Sequence, residues 1–160
     1  MVREVLRYPH PLLKQVCHPA GREEAVSVAE DLLDTMRSFP GCVGLAAPQI
    51  GEPVRIAVVD VSEHPRAETS NGLMILVNPR VEHAEGSDIA REGCLSIPEL
   101  TANVRRATTI RIRAGGVRAE CHGFEARCVL HELDHLDGIL FLDRVESLAH
   151  DVFLRKVYKQ

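Results

Sequence analysis

His131-Glu132-Leu133-Asp134-His135 is an HExxH pattern. Residues four apart on a helix share one face with Cβ atoms about 5–6 Å apart, so His131 and His135 can bind the same metal ion. Glu132 stands beside the first histidine, where a carboxylate can serve as a base at the open position of the metal. The pattern therefore predicts a metal-bearing helix, which we expect to run from Phe124 to Leu136.

Two histidines do not complete a metal site, so the chain must supply a third ligand. The extended protease pattern HExxHxxGxxH would place a histidine where this chain has Phe141. Glu146 is a downstream candidate, but its surroundings do not resemble a ligand-bearing helix. Cys94 lies among small residues in a turn-like segment, and we take it as the third ligand. A Cys/His/His set leaves one position for water, as catalytic metal sites do.

The rest of the sequence predicts an α+β fold. Antiparallel strands are expected around the central metal-binding helix, with further helices at the N-terminal and C-terminal ends, all within one catalytic domain of residues 1–160. The expected elements are a helix from Glu24 to Phe39, strands at Val54–Val61 and Leu73–Val77, a hairpin of Thr108–Arg113 and Val117–Cys121, and a last helix from about Ser147 to Tyr158.

Composition favours a cytoplasmic protein. The net charge of −4 argues against a nucleic-acid-binding surface, which would need a basic excess. No apolar run approaches the ~18 residues of a membrane span, and the N-terminal residues Met1–Glu4 do not begin a signal peptide. Neither nucleic acid nor membrane is therefore expected as a partner. The five cysteines form no spaced framework, which suits a reducing compartment.

Three short motifs occur in a fixed order along the chain. They are Cys42-Val43-Gly44-Leu45-Ala46-Ala47-Pro48-Gln49, then Glu92-Gly93-Cys94-Leu95-Ser96, then the HExxH pattern followed by Leu136-Asp137-Gly138. In these motifs, and between them from Arg3 to Phe141, the sequence resembles the peptide deformylases. The resemblance implies a hydrolase that removes the formyl group from the N-terminal formyl-methionine of newly made polypeptides and releases formate.

The resemblance also implies how the reaction would be catalysed. One divalent metal ion would be held by Cys94, His131 and His135. Ferrous iron is implied in the cell, with zinc giving a less active form, and nickel or cobalt also suit these ligands. Such a metal lowers the pKa of its bound water toward about 7. Glu132 would take the proton of that water and deliver it to the leaving amine, while the Gln49 amide and the Leu95 backbone N–H would stabilise the carbonyl oxygen.

The substrate implied by the resemblance is an N-formyl-methionyl peptide, met on nascent chains during a transient contact with the ribosome. Its backbone would lie along Gly44 as an added strand. Its methionine side chain would enter an apolar pocket formed by Val43, Phe124 and Cys128. Behind the metal ligands, Glu92 is predicted to pair with Arg106.

Other functions stay open from the sequence. Cys42 replaces the usual first glycine of its motif and the turn segment Arg113–Arg118 is short, which favours as an alternative a deformylase-like hydrolase acting on another formylated peptide or small molecule. A non-catalytic metal- or peptide-binding relative is disfavoured because binding alone would not require Glu132. A zinc endopeptidase is disfavoured by the Cys94 ligand and by Phe141.

Overall fold

The computed structural model describes residues 1–156, which contain two α-helices, nine short strands and three 3-10 turns. The helices are α1 (Arg22–Arg37) and α2 (Gly123–Leu136). The strands are β1 (Gly44–Ala46), β2 (Ile56–Val59), β3 (Met74–Val77), β4 (Arg80–Glu85), β5 (Asp88–Cys94), β6 (Ile97–Arg106), β7 (Thr109–Ala114), β8 (Val117–His122) and β9 (Val152–Leu154). The 3-10 turns are Pro11–Lys14, Ala47–Ile50 and Phe141–Arg144. Neither helix has the length and apolar character that crossing a membrane requires.

The strands form three antiparallel sheets, in the orders β1-β2-β3, β4-β7-β8 and β5-β6-β9. Helix α2 contacts β1 and β2 of the first sheet and β7 and β8 of the second. Its residues Ala126, Val129 and Leu133 are buried in an apolar cluster with residues of these two sheets. The predicted α+β class, with antiparallel strands around a central helix, is confirmed.

Helix α1 covers the opposite side of the first sheet. Its buried residues Val28, Leu32 and Met36 recur at helical spacing and pack in one cluster with Leu45 of β1 and Val58 of β2. The helix begins and ends two residues earlier than predicted. Phe39 lies outside it because the ring of Pro40 disfavours a helical conformation in the residue ahead of it. The predicted β-hairpin is present as β7 and β8.

The prediction of a C-terminal helix from about Ser147 to Tyr158 is wrong over the part that the structure describes. Residues Val152–Leu154 instead form β9, which pairs with residues 100–102 of β6. Leu148, which lies within the predicted helix, is 74% exposed. Pairing with β6 therefore decides the conformation of this segment, and the helical spacing of a few apolar residues does not. Tyr158 lies outside the described residues.

Gly138 lies in the turn that follows α2. Its φ is +73°, and a Cβ there would stand 2.6 Å from the carbonyl oxygen of Lys14. We expect Gly138→Ala to lower the free energy of unfolding by about 1–3 kcal/mol, since it adds left-handed strain and a clash with backbone. Guanidinium denaturation measures this. The control is Gly116→Ala, at an exposed position with no described atom within 4 Å of the new Cβ. Equal stabilities of the two variants would contradict the prediction.

Candidate active site and metal centre

Three potential metal ligands meet where the end of β5 approaches α2. The ligand atoms of Cys94, His131 and His135 all lie within 4.8 Å of one another, and the three side chains are buried. The Sγ of Cys94 is 3.4 Å from Nε2 of His135. Burial acts to raise the pKa of Cys94, but His135 and His131 outweigh it and hold that pKa well below its usual range. The sulfur is therefore favoured as a thiolate, the form that binds metals.

Glu92 contacts one of these ligands, His131, and fixes the orientation of its ring. Its Oε1 is 2.9 Å from Nδ1 of His131, which leaves Nε2 of that ring as the ligand atom. Arg106 donates to both carboxylate oxygens of Glu92 at 2.9 Å, so the predicted pair is present. Burial opposes ionisation of Glu92, but His131 and Arg106 hold its pKa far below the ordinary value. A carboxylate behind an imidazole is the arrangement typical of metal-binding histidines, so this donor set fits a divalent metal ion.

Glu132 lies beside the ligands and against β1. It is 5% exposed, and its Oε1 has no hydrogen-bond partner among residues 1–156. Its other oxygen is so close to Gly44 that a Cβ on that glycine would stand 2.6 Å from it. Burial raises the pKa of Glu132. A buried carboxylate oxygen without a partner is unfavourable unless a ligand or a reacting proton satisfies it, which fits the predicted base.

Gln49 joins the first motif to the second. It lies on the 3-10 turn Ala47–Ile50 and is 2% exposed. Its Oε1 accepts a hydrogen bond of 3.0 Å from the backbone N–H of Ala46, which turns the amide NH₂ toward the metal ligands. The Nε2 donates to Sγ of Cys94 at 3.4 Å and to Oγ of Ser96 at 3.1 Å. An oriented amide donor therefore lies within hydrogen-bonding distance of the thiolate.

These groups border a cleft of about 330 Å³, within the size range of small-ligand sites. The predicted substrate-binding residues Val43, Gly44, Phe124 and Cys128 all line it. The predicted catalytic and metal-binding residues Gln49, Leu95, Glu132, Cys94 and His131 line it as well. Residues from all three motifs thus meet at one cleft, although their roles stay predictions.

Sequence reasoning missed Arg127. This arginine is 5% exposed on α2 and donates to Glu92 at 2.8 Å and to the carbonyl oxygens of Val104 and Asp88 at 2.7 and 2.9 Å. It therefore pairs with Glu92 behind the site. Its position four residues before His131 places it on the same helix face, but the carbonyl groups that it binds lie on other strands and leave no signal near it in the sequence.

Two other residues near the site have contacts that the sequence analysis did not predict. His64 stacks on Phe124 with ring centroids 4.4 Å apart and lines the cleft. Asp134 accepts hydrogen bonds from Arg106 and Arg144.

Glu92→Gln is expected to weaken metal binding about 10–100-fold, because the neutral amide no longer supports His131 as a basic ligand. Competition with a chromophoric chelator, using cobalt or zinc, measures the affinity on protein shown by circular dichroism to be folded. Glu82→Gln is the matched control, since Glu82 pairs with Arg118 on a separate sheet. Unchanged affinity in folded Glu92→Gln protein would show that Glu92 does not support the ligand.

The fold and the site together define a class of protein. A buried thiolate and two imidazoles gathered around one point, with an unpartnered carboxylate beside them and an open cleft in front, are the parts of a metal-dependent hydrolase.

Sequence comparison identifies the family. The sequence model described as polypeptide deformylase matches residues 2–151, so the chain belongs to the peptide deformylase family. The peptide deformylase of Acidobacterium capsulatum is 36% identical over 99% of this chain and 95% of its own length. That of Mesorhizobium japonicum is 37% identical over 99% of this chain and 92% of its own length.

Solved structures agree with this assignment. The peptide deformylase from Thermotoga maritima superposes with a TM-score of 0.81 at 31% identity, covering 92% of this chain and 99% of that one. A class I type b peptide deformylase from Acinetobacter baumannii, in a structure with Met-Ala-Ser bound, gives a TM-score of 0.82 at 30% identity and covers 90% of this chain and 99% of that one. The predicted resemblance to this family is confirmed.

Proposed function

We propose that the cleft beside Cys94, His131 and His135 is the site where this deformylase removes the formyl group from the N-terminal formyl-methionine of newly made polypeptides. The observation that carries the proposal is the position of Glu132, buried and with an unpartnered oxygen, beside the only cluster of three metal-ligating side chains found within residues 1–156. The products would be formate and a free α-amine.

The residues around the cleft can share the chemistry of this hydrolysis. A divalent cation held by Cys94, His131 and His135 would polarise the formyl carbonyl and lower the pKa of a coordinated water. Glu132 accepts a proton as water attacks the formyl carbon, and it donates that proton to the amine nitrogen as the C–N bond breaks. The Gln49 amide and the Leu95 backbone N–H donate to the carbonyl oxygen as negative charge develops on it.

The peptide would bind between two sheet edges. β1 and β5 are terminal strands of their sheets within residues 1–156, and both contribute residues to the lining of the cleft. An extended peptide can add to such an edge through backbone hydrogen bonds. Val43, Phe124 and Cys128 offer an apolar surface for the methionine side chain. The Acinetobacter baumannii relative, which binds Met-Ala-Ser, supports a peptide of this kind.

We further propose ferrous iron as the metal in the cell, since a thiolate with two imidazoles accepts iron as well as zinc, nickel or cobalt. A cytoplasmic location and a transient contact with the ribosome follow from a nascent-chain substrate. The chain of 160 residues would act as one catalytic domain.

A formylated peptide of another kind, or a formylated small molecule, is the second candidate substrate. Cys42 lines the cleft, and its Sγ donates to the carbonyl oxygen of Gly44 at 3.3 Å. Burial raises the pKa of Cys42 to about 11, so the thiol keeps its proton and this hydrogen bond. The thiol therefore engages a backbone group of the edge along which a peptide would bind.

Formate release tests both substrates. Protein purified without oxygen and loaded with ferrous iron is assayed with formyl-Met-Ala-Ser, with Met-Ala-Ser as blank and with a panel of formylated small molecules. We expect rapid release from formyl-Met-Ala-Ser and slower release after loading with zinc. Release from a small formylated molecule but not from the peptide would replace the proposed substrate by the second candidate.

A further inference from the structure

Four arginines line the cleft around the candidate active site. Arg127 is buried and pairs with Glu92, whereas the three rim arginines, Arg66, Arg91 and Arg155, are exposed. The acidic residues that line the same cleft, Glu92 and Glu132, are buried below 10% exposure. The accessible charge at the rim of the cleft is therefore positive, in a chain whose net charge is −4.

Two of the rim arginines, Arg91 and Arg66, are held in place by contacts that leave their charge uncompensated. The guanidinium of Arg91 lies 3.7 Å from the ring centroid of Phe153 and donates to Asn103 and Thr101, each at 3.3 Å. Arg66 lies 4.7 Å from the ring centroid of Phe124 and donates to the backbone oxygen of Arg91 at 3.2 Å.

Arg155 is the third rim arginine. Its guanidinium lies over Gly93, where a Cβ would stand 2.3 Å from it. None of the three rim arginines has a carboxylate within salt-bridge distance among residues 1–156. Like charges gathered along a cleft, without an anion from the protein itself, are suited to an anionic ligand.

The strand geometry gives the position of that ligand. Arg91 lies three residues before Cys94 on β5, which corresponds to roughly 10 Å of extended strand. An extended peptide whose formyl carbon lies at Cys94 and which runs along β5 toward Arg91 reaches that arginine with its second and third residues. Resting on the proposed function, we infer that the rim arginines select nascent chains that carry an acidic side chain at the second or third residue. The formyl-methionine is counted as the first residue.

The test compares peptides blocked as C-terminal amides, so that in the Glu peptide the side chain carries the only negative charge. The peptides are formyl-Met-Ala-Glu, formyl-Met-Ala-Gln and formyl-Met-Ala-Lys amides, with a second set varied at residue two. We expect kcat/KM for the Glu peptide to exceed that for the Gln peptide about five- to tenfold at low salt, through KM rather than kcat, with the Lys peptide lowest. High salt should reduce the ratio.

Variants assign the preference to the rim. Arg66→Gln/Arg91→Gln/Arg155→Gln should bring the Glu-to-Gln ratio close to one, while Arg118→Gln, at an exposed arginine that pairs with Glu82, should keep the wild-type ratio. Equal kcat/KM for Glu and Gln peptides in the wild type, or a ratio that survives in the triple variant, would overturn the inference and leave the proposed function standing. No formate from any of these peptides would instead refute the proposed function.

Discussion

Glu132→Gln is expected to lower kcat for formyl-Met-Ala-Ser by about 10²–10⁴-fold, the range typical of a lost general acid–base. The amide keeps the size of the side chain but cannot accept the proton of water or return it to the amine. Because Glu132 is not one of the gathered metal ligands, the variant should still bind one equivalent of metal. Formate release and metal analysis of the same preparation measure both quantities.

A control variant tests whether removing any buried carboxylate of this helix would lower kcat in the same way. Glu125 lies on the same helix, is 1% exposed, and accepts hydrogen bonds from Asn71 outside the cleft. Glu125→Gln should lower thermal stability but change kcat by no more than about threefold, within the range of a residue without a part in the chemistry. If Glu132→Gln kept more than a tenth of the wild-type kcat, another group would have to be the base.

The sequence predicted those parts of the site that local geometry encodes. Four-residue spacing on a helix places His131 and His135 on one face wherever that helix packs, so the pattern was informative without a fold. Cys94 was chosen because the extended protease pattern fails at Phe141 and because the surroundings of Glu146 do not resemble a ligand-bearing helix. The structure brings these three side chains together.

Features that depend on contacts between residues far apart in the sequence could not be predicted. β9 is a strand because β6 offers it an edge, and nothing in the residues 152–154 themselves identifies that partner. Arg127 is buried because the carbonyls of Asp88 and Val104 converge on it from two neighbouring strands. The rim arginines, at 66, 91 and 155, are far apart in the sequence, and only the fold brings them to one cleft.

Gly44→Ala is expected to lower kcat about 10²-fold, the scale of effect that a displacement of about 1 Å has on a reacting group. Gly44 is a β-strand residue whose φ lies outside the left-handed region, so its backbone accepts alanine without strain. The new Cβ would stand 2.6 Å from Oε2 of Glu132 and 3.1 Å from its Cδ and Cγ. Such short contacts force the carboxylate away from the place where it meets water.

The comparison is Gly93→Ala on the other strand that borders the cleft. Its Cβ would meet the guanidinium of Arg155, the far end of a flexible exposed side chain that can move aside. We therefore expect a much smaller loss of kcat than in Gly44→Ala. Values of kcat and KM for formyl-Met-Ala-Ser, with metal content and thermal stability, are measured for both. A raised KM with unchanged kcat in Gly44→Ala would mean that the methyl group blocks the peptide and leaves Glu132 where it is.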